Sequence, residues 1–228
     1  MSRLQGKVCV VTGASTGIGE AIANAFAAEG GAVVGVARRF EVRAPEPRAG
    51  AVSRVHLDVS NEPDVINLFE AIGDVDILVN NAGVSHFGAF DTMLLTELRA
   101  MLDTHVIGTY LCAREALRSM KSNRRGHIVT VGSTASYDTF ADCAGYTAAK
   151  SAQIALSKVL REEARAYDVR VTDLIPGAVD TPIWDNRPGF DRAKMLRPAD
   201  VAGAVVDVVA RPGVSVDQIV LRPPAGNL

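Results

Sequence analysis

With 228 residues, 48% of them hydrophobic, the chain can bury one core but is short for two domains. Lysine and arginine total 24 against 26 acidic residues, a formal net charge of −2, which gives no electrostatic ground for a nucleic-acid partner. No apolar run reaches the ~18 residues of a membrane helix, and Cys9, Cys112 and Cys143 are too few and too scattered for a disulfide framework or a metal motif.

In chain order, Met1-Ser2-Arg3-Leu4-Gln5-Gly6-Lys7 carries no signal-peptide core, so a reduced, cytoplasmic, metal-free setting is expected. Residues 8–11 are an apolar run that suits a strand buried on both faces. Residues 17–29 place Ile18, Ala21, Ile22, Ala25 and Phe26 on one helical face and end at Gly30-Gly31. Strands are predicted over 32–37 and 52–59, with Ser60-Asn61-Glu62-Pro63 opening a helix. A strand over 76–80, a long helix over 95–120, a strand over 127–131 and a helix over 142–167 follow. A strand over 169–175 stops at Pro176-Gly177, and a helix over 198–209 and a strand over 218–221 complete the series. Such alternation predicts a single α/β domain over 1–228, doubly wound, with about seven parallel strands. Between the second and third strands, Pro45 and Pro47 argue against a crossover helix, and an extended loop is expected over 40–50.

Two stretches carry chemistry. Gly13, Ser15, Thr16, Gly17, Ile18 and Gly19 lie where the first strand turns into the first helix. There a bare backbone and a helix N-terminus suit a phosphate. Tyr146 and Lys150, four residues apart, share one helical face. An ammonium beside a phenol favours the phenolate and is expected to lower the Tyr146 pKa towards useful acid–base range. Ser133 ends the fifth strand, where its hydroxyl reaches the crevice outside the strand ends.

Thr12-Gly13-x-x-x-Gly17-x-Gly19, Asn80-Asn81-Ala82-Gly83, Ser133, Tyr146-x-x-x-Lys150 and Pro176-Gly177 together resemble the classical short-chain dehydrogenase/reductases, in order and over nearly the whole chain. The resemblance implies a Rossmann-type sheet, a nicotinamide cofactor and hydride transfer between an alcohol and a ketone or aldehyde. It makes Tyr146 the general acid/base, Ser133 the hydrogen-bond partner of the substrate oxygen, and Lys150 a contact of the nicotinamide ribose. It places Asp58, Val59, Asn81, Ala82 and Gly83 at the adenosine side and Thr181 at the carboxamide, and counts Tyr146, Pro176 and Gly177 among the cofactor contacts. It also implies packing into dimers or tetramers. His105 stands where the family carries an asparagine whose carbonyl holds a relay water. Its carbonyl could keep that role, its imidazole could join the relay, or it could simply pack.

After the second strand stand Arg38 and Arg39, with no acid at the strand end. Two guanidiniums suit the 2′-phosphate of NADP(H), whereas solvated surface charges would leave NAD(H) possible. The reading is an NADP(H)-preferring ketoreductase acting on a small to medium apolar carbonyl or alcohol, with no nucleic acid or membrane partner. The alternatives are an NAD-dependent alcohol dehydrogenase, or this fold with lost or redirected redox chemistry. Ser85, His86, Phe87, residues 134–137, Phe140 and a loop over 178–197 are expected to line the substrate end. Within that loop Trp184 and Phe190 either form an apolar lid or dock the loop on the body.

Overall fold

A computed structural model describes residues 2–42, 44–185, 187 and 189–226. The described residues form one parallel seven-stranded sheet in the order β3-β2-β1-β4-β5-β6-β7. The strands are β1 (Val8–Thr12), β2 (Ala32–Ala37), β3 (Ala51–His56), β4 (Ile77–Asn80), β5 (Gly126–Val131), β6 (Val169–Pro176) and β7 (Gln218–Leu221). Side chains alternate across a strand, so Val10 enters one core while Cys9 and Val11 enter the other. The apolar run of β1 is thus explained by a sheet covered on both faces.

Helices α1 (Gly17–Ala28) and α6 (Pro198–Val209) cover one face, where Ile22 and Phe26 meet Val201 and Val205. The other face is covered by α2 (Glu62–Ile72) and α4 (Gly108–Asn123), through Leu68, Phe69, Leu111 and Ala116. Beside them lies α5 (Ala144–Ala164). Between β2 and β3 the described residues form no helix. The extended segment instead follows the outer edge of β3, with His56 N donating to Val42 O. That contact covers backbone groups an edge strand would otherwise expose.

Three elements differ from expectation by more than one residue. The strand predicted over 52–59 ends at His56, because its partner β2 ends at Ala37 and offers nothing further to pair with. The helix predicted over 95–120 is α3 (Leu95–Leu102), a π-helical turn (Asp103–Ile107) and then α4. The helix predicted over 142–167 begins at Ala144, since Asp142 adopts a left-handed φ of 60°, and its last turn tightens over Arg165–Tyr167.

Helix α5 is locked to the sheet by a buried ion pair. Arg161 Nη2 lies 2.5 Å from Asp173 Oδ2 on β6, and Arg161 Nε donates to Val171 O at 2.9 Å. Removing one partner strands the other charge in the interior. Arg161→Met is expected to lower the unfolding free energy by about 3–5 kcal/mol in urea titrations. The double variant Arg161→Met/Asp173→Leu should recover much of that loss.

Candidate active site

Strand order reverses at β1, which has β2 on one side and β4 on the other, and a crevice opens beyond the strand ends there. The edges of that crevice are tied together. Thr12 Oγ1 accepts from Asn81 N and Ala82 N at 2.9 Å each, and Asn81 Nδ2 donates to Thr12 O at 2.9 Å. Gly13 has a φ of 67°, and a Cβ there would lie 2.8 Å from Ala82 Cα, so glycine is required on both counts. Thr16 precedes α1 without capping it through its side chain, which leaves N–H groups of the first turn to be satisfied from the crevice.

The crevice is a cavity of about 740 Å³. Its walls hold Gly13, Ser15, Thr16, Gly17, Ile18, Arg38, Arg39, Asp58, Val59, Asn81, Ala82 and Gly83. They also hold His105, Ser133, Tyr146, Lys150, Pro176, Gly177 and Thr181. Of the residues predicted for catalysis and cofactor binding, Gly19 alone does not line the cavity. It packs beneath the turn, where a Cβ would meet Gly13 O at 2.4 Å. Thr181 sits against the turn from above, its Cγ2 3.0 Å from where a Gly17 Cβ would stand. The Asp58 carboxylate accepts from Ser60 N and Oγ. Burial would raise its pKa, but these bonds with the charges of Arg38 and His56 outweigh that and hold it below its ordinary value.

At the other end, Tyr146 presents its ring to Phe87, with centroids 5.8 Å apart, and edge-on to His105 at 5.6 Å. The expected lowering of its pKa by Lys150 is not what the protein alone supplies. Burial pushes the phenol up to about 12, and only a hydrogen bond from Ser133 pulls the other way. Lys150, lowered to about 7 by its own burial, directs its ammonium elsewhere. It donates to Val131 O at 2.7 Å and Gln153 Oε1 at 2.9 Å, and Gln153 Nε2 donates to Thr109 Oγ1 at 2.8 Å. Gln153 and Thr109 were missed in the sequence. The signal for Gln153 was its place three residues beyond Lys150, on the same helical face.

His105 sits inside the π-turn. Its Nε2 lies 2.7 Å from Val84 O and 3.3 Å from Val84 N. One nitrogen cannot serve both, and the shorter contact makes it a donor to the carbonyl. Nδ1 is buried without a partner among the described residues. Burial, then the Lys150 charge, carry the imidazole down to about 3 against the opposing Val84 contact. The ring is therefore neutral at working pH, which favours the packing alternative over an imidazole titrating in a relay. What it does instead is pin the π-turn to the segment after β4. Gly83 makes room for it, because a Cβ there would lie 2.6 Å from His105 Cε1.

The substrate end differs in detail from expectation. Ser85, Phe87, Thr134, Ala135 and Phe140 line it. His86 instead lies 3.5 Å from Glu97, and the exposed Tyr137 accepts a hydrogen bond from Gln218. Trp184 and Phe190 pack at 4.7 Å on one wall, while Trp184 Nε1 donates to Val179 O at 2.9 Å. Trp184 thus docks the loop on the body while its ring lines the cavity. Asn186 and Pro188 of this loop lie outside the described residues. Arg187, passed over in the sequence, stands in the same wall. No helix among the described residues is long and apolar enough to cross a membrane.

A family model described as short chain dehydrogenase matches residues 7–190. The chain belongs to that family. Among short-chain dehydrogenases and their relatives, it is 36% identical to a farnesol dehydrogenase of Aedes aegypti, over 98% of each chain. It is 33% identical to a sepiapterin reductase of Chlorobaculum tepidum, over 97% of this chain and 98% of that one. Among solved structures it resembles an alcohol dehydrogenase from the archaeon Thermococcus sibiricus complexed with 5-hydroxy-NADP. That match has a TM-score of 0.85 at 31% identity, covering 97% of this chain and 98% of the other. A metagenomic short-chain oxidoreductase in complex with NADP matches with a TM-score of 0.82 at 30% identity, covering 97% and 99%. As a family member the chain is an oxidoreductase of the alcohol/carbonyl class using a nicotinamide cofactor.

In this short-chain dehydrogenase the buried imidazole has a consequence for stability. Its folded pKa, near 3, lies below the ~6.5 of an unfolded histidine. The unfolded chain therefore binds the extra proton between those values. Stability is fully present above ~6.5 and is lost as pH falls towards 3. His127, also carried down to about 3 by burial, acts in the same direction. His105→Asn should flatten the decline between pH 6.5 and 4 by up to about 1.4 kcal/mol per pH unit. Urea unfolding at stepped pH measures it, and an unchanged slope would remove His105 from the account.

Proposed function

We propose that the protein is an NADP(H)-preferring oxidoreductase that interconverts a ketone or aldehyde and an alcohol, with Tyr146 as general acid/base. The observation that carries this reading is one cavity with an uncapped helix end and two arginines at one end and Ser133, Tyr146 and Lys150 at the other. The residues fit a dinucleotide phosphate. The glycine turn offers backbone donors, and neither Arg38, whose charge acts on Asp58 from beyond salt-bridge distance, nor Arg39 forms a salt bridge among the described residues. These guanidiniums stand beyond the end of β2, where charge-assisted bonds would hold a 2′-phosphate. Two of the similar solved structures are complexes with NADP or a hydroxylated NADP, which supports the same choice.

The bound nicotinamide supplies or takes up the hydride at the substrate carbon. The chain's own residues handle the oxygen. Ser133 hydrogen bonds it, and Tyr146 gives it a proton during reduction or accepts one during oxidation. A phenol held high is a willing proton acceptor once ionised, and Lys150, near 7, can exchange a proton at neutral pH. We also infer a homo-oligomer through α4 and α5, where Tyr110 and Val159 leave large apolar surface exposed.

Titration with NADPH and NADH by heat or fluorescence tests the cofactor. Arg38→Ala should weaken NADPH about 10- to 100-fold with NADH unchanged, since a bond to a charged group contributes about 1.5–3 kcal/mol. Tighter NADH in the parent protein would make both arginines surface charges and the chain an NAD-dependent dehydrogenase. Tyr146→Phe should cut turnover by at least about 10²-fold while leaving NADPH binding intact. A dinucleotide-binding protein without redox chemistry would show no turnover to lose.

A further inference from the structure

We propose that Arg187 receives a carboxylate on the substrate, so that the carbonyl compound taken by this cavity is an oxo acid and its reduced partner a hydroxy acid. The inference rests on the redox reading above and adds the substrate class.

Placement comes first. The Arg187 guanidinium lies 3.7 Å over the Phe87 ring, and that same ring packs against Tyr146. A single aromatic ring therefore separates the cation from the residue proposed to hand a proton to the substrate oxygen. The rings of Trp184 and Phe190 stand 5.4 and 5.3 Å from the guanidinium. A planar guanidinium stacked on aromatic faces keeps its N–H groups at its edge, in a fork that matches the two oxygens of a carboxylate.

Charge comes second. The loop carrying Arg187 also holds three acids, and each is taken by another base. Asp180 and Asp185 pair with Arg192, and Asp191 pairs with Lys194. Among the described residues the side chain of Arg187 has no ion pair, and its polar contact is with the Cys143 thiol. Asp58 is the one carboxylate among the described cavity-lining residues, and it is engaged by Ser60 beside Arg38. The reacting end of the cavity thus holds Lys150 and Arg187 with no acid between them. A partly dehydrated guanidinium without a counter-ion attracts an anion more strongly than a solvated one.

The competing account is that Arg187 only pins the loop by cation–π stacking. A pin holds the loop equally well for any ligand. An anion receptor distinguishes an acid from its ester.

The test pairs 2-oxopentanoate, 4-oxopentanoate and 5-oxohexanoate with their methyl esters, in the parent protein and in Arg187→Leu and Arg187→Lys. The proposal expects at least one acid to exceed its ester in kcat/KM by about 10-fold or more. It expects Arg187→Leu to cost that acid about 10- to 100-fold, the ester less than about 3-fold, and Arg187→Lys to lie between. Equal handling of every acid and ester, or equal losses for both in Arg187→Leu, would overturn it.

A second readout does not depend on turnover. Trp184 is the only tryptophan in the chain and lies beside the guanidinium, so its fluorescence reports the site. Pentanoate should shift that signal saturably, with and without NADP⁺, whereas pentanamide should not, and Arg187→Leu should abolish the response. Absence of a pentanoate response in the parent protein counts against the proposal. Absence of reduction of every carbonyl, neutral ones included, with the pentanoate response intact would instead sink the redox reading and leave a carboxylate-binding site.

Discussion

An ammonium group buried beneath α5 has to find oxygen, and much of the site's architecture answers that requirement. Lys150 reaches it on β5 through Val131 O and on its own helix through Gln153, and Gln153 in turn reaches Thr109 on α4. All three side chains are buried. In a low-dielectric interior an unmet bond here would cost more than a made one contributes, so sheet, α5 and α4 are held in one arrangement. The position of Tyr146 follows, because it rides the same helix one turn before the lysine.

The cavity is consequently divided by chemistry. At one end the backbone of a glycine turn and the two arginines beyond β2 prepare for phosphate. At the other, Phe87, Trp184 and Phe190 surround one guanidinium, and a phenol and a neutral imidazole share an edge. Burial is the largest influence on Tyr146, Lys150 and His105 alike. It raises the first and lowers the other two, since in each case it disfavours the charged form. The three groups therefore stand in their neutral states to a degree that their separate solution behaviour would not suggest.

The legible parts of the chain were those decided locally. The glycine turn sits between a strand and a helix, and the spacing of Tyr146 and Lys150 places them on one face whatever the tertiary context. The missing helix between β2 and β3 could likewise be read from Pro45 and Pro47. What escaped depends on partners distant in sequence. The end of β3 is set by the length of β2. The direction of the Lys150 ammonium is set by a carbonyl on β5, so proximity to Tyr146 along the helix did not determine the phenol's pKa. A lone arginine in a loop reads as a solvated charge, and nothing in the spacing around Arg187 shows that the neighbouring acids are already engaged.

The π-helical turn at Asp103–Ile107 separates two requirements that a regular helix would combine. Such a turn takes up one residue more than an α-turn while still completing one revolution. After it Leu111, Cys112 and Met120 enter the core under the sheet, whereas before it Met101 packs against α5 at Gly145. A chain one residue shorter within the turn would keep its layers and its helix. It would lose the widening that carries His105 to Val84, and with it a contact that serves the pocket wall and the fold together. Insertion and deletion, rather than substitution, are the changes by which this wall can be redrawn while the core stays as it is.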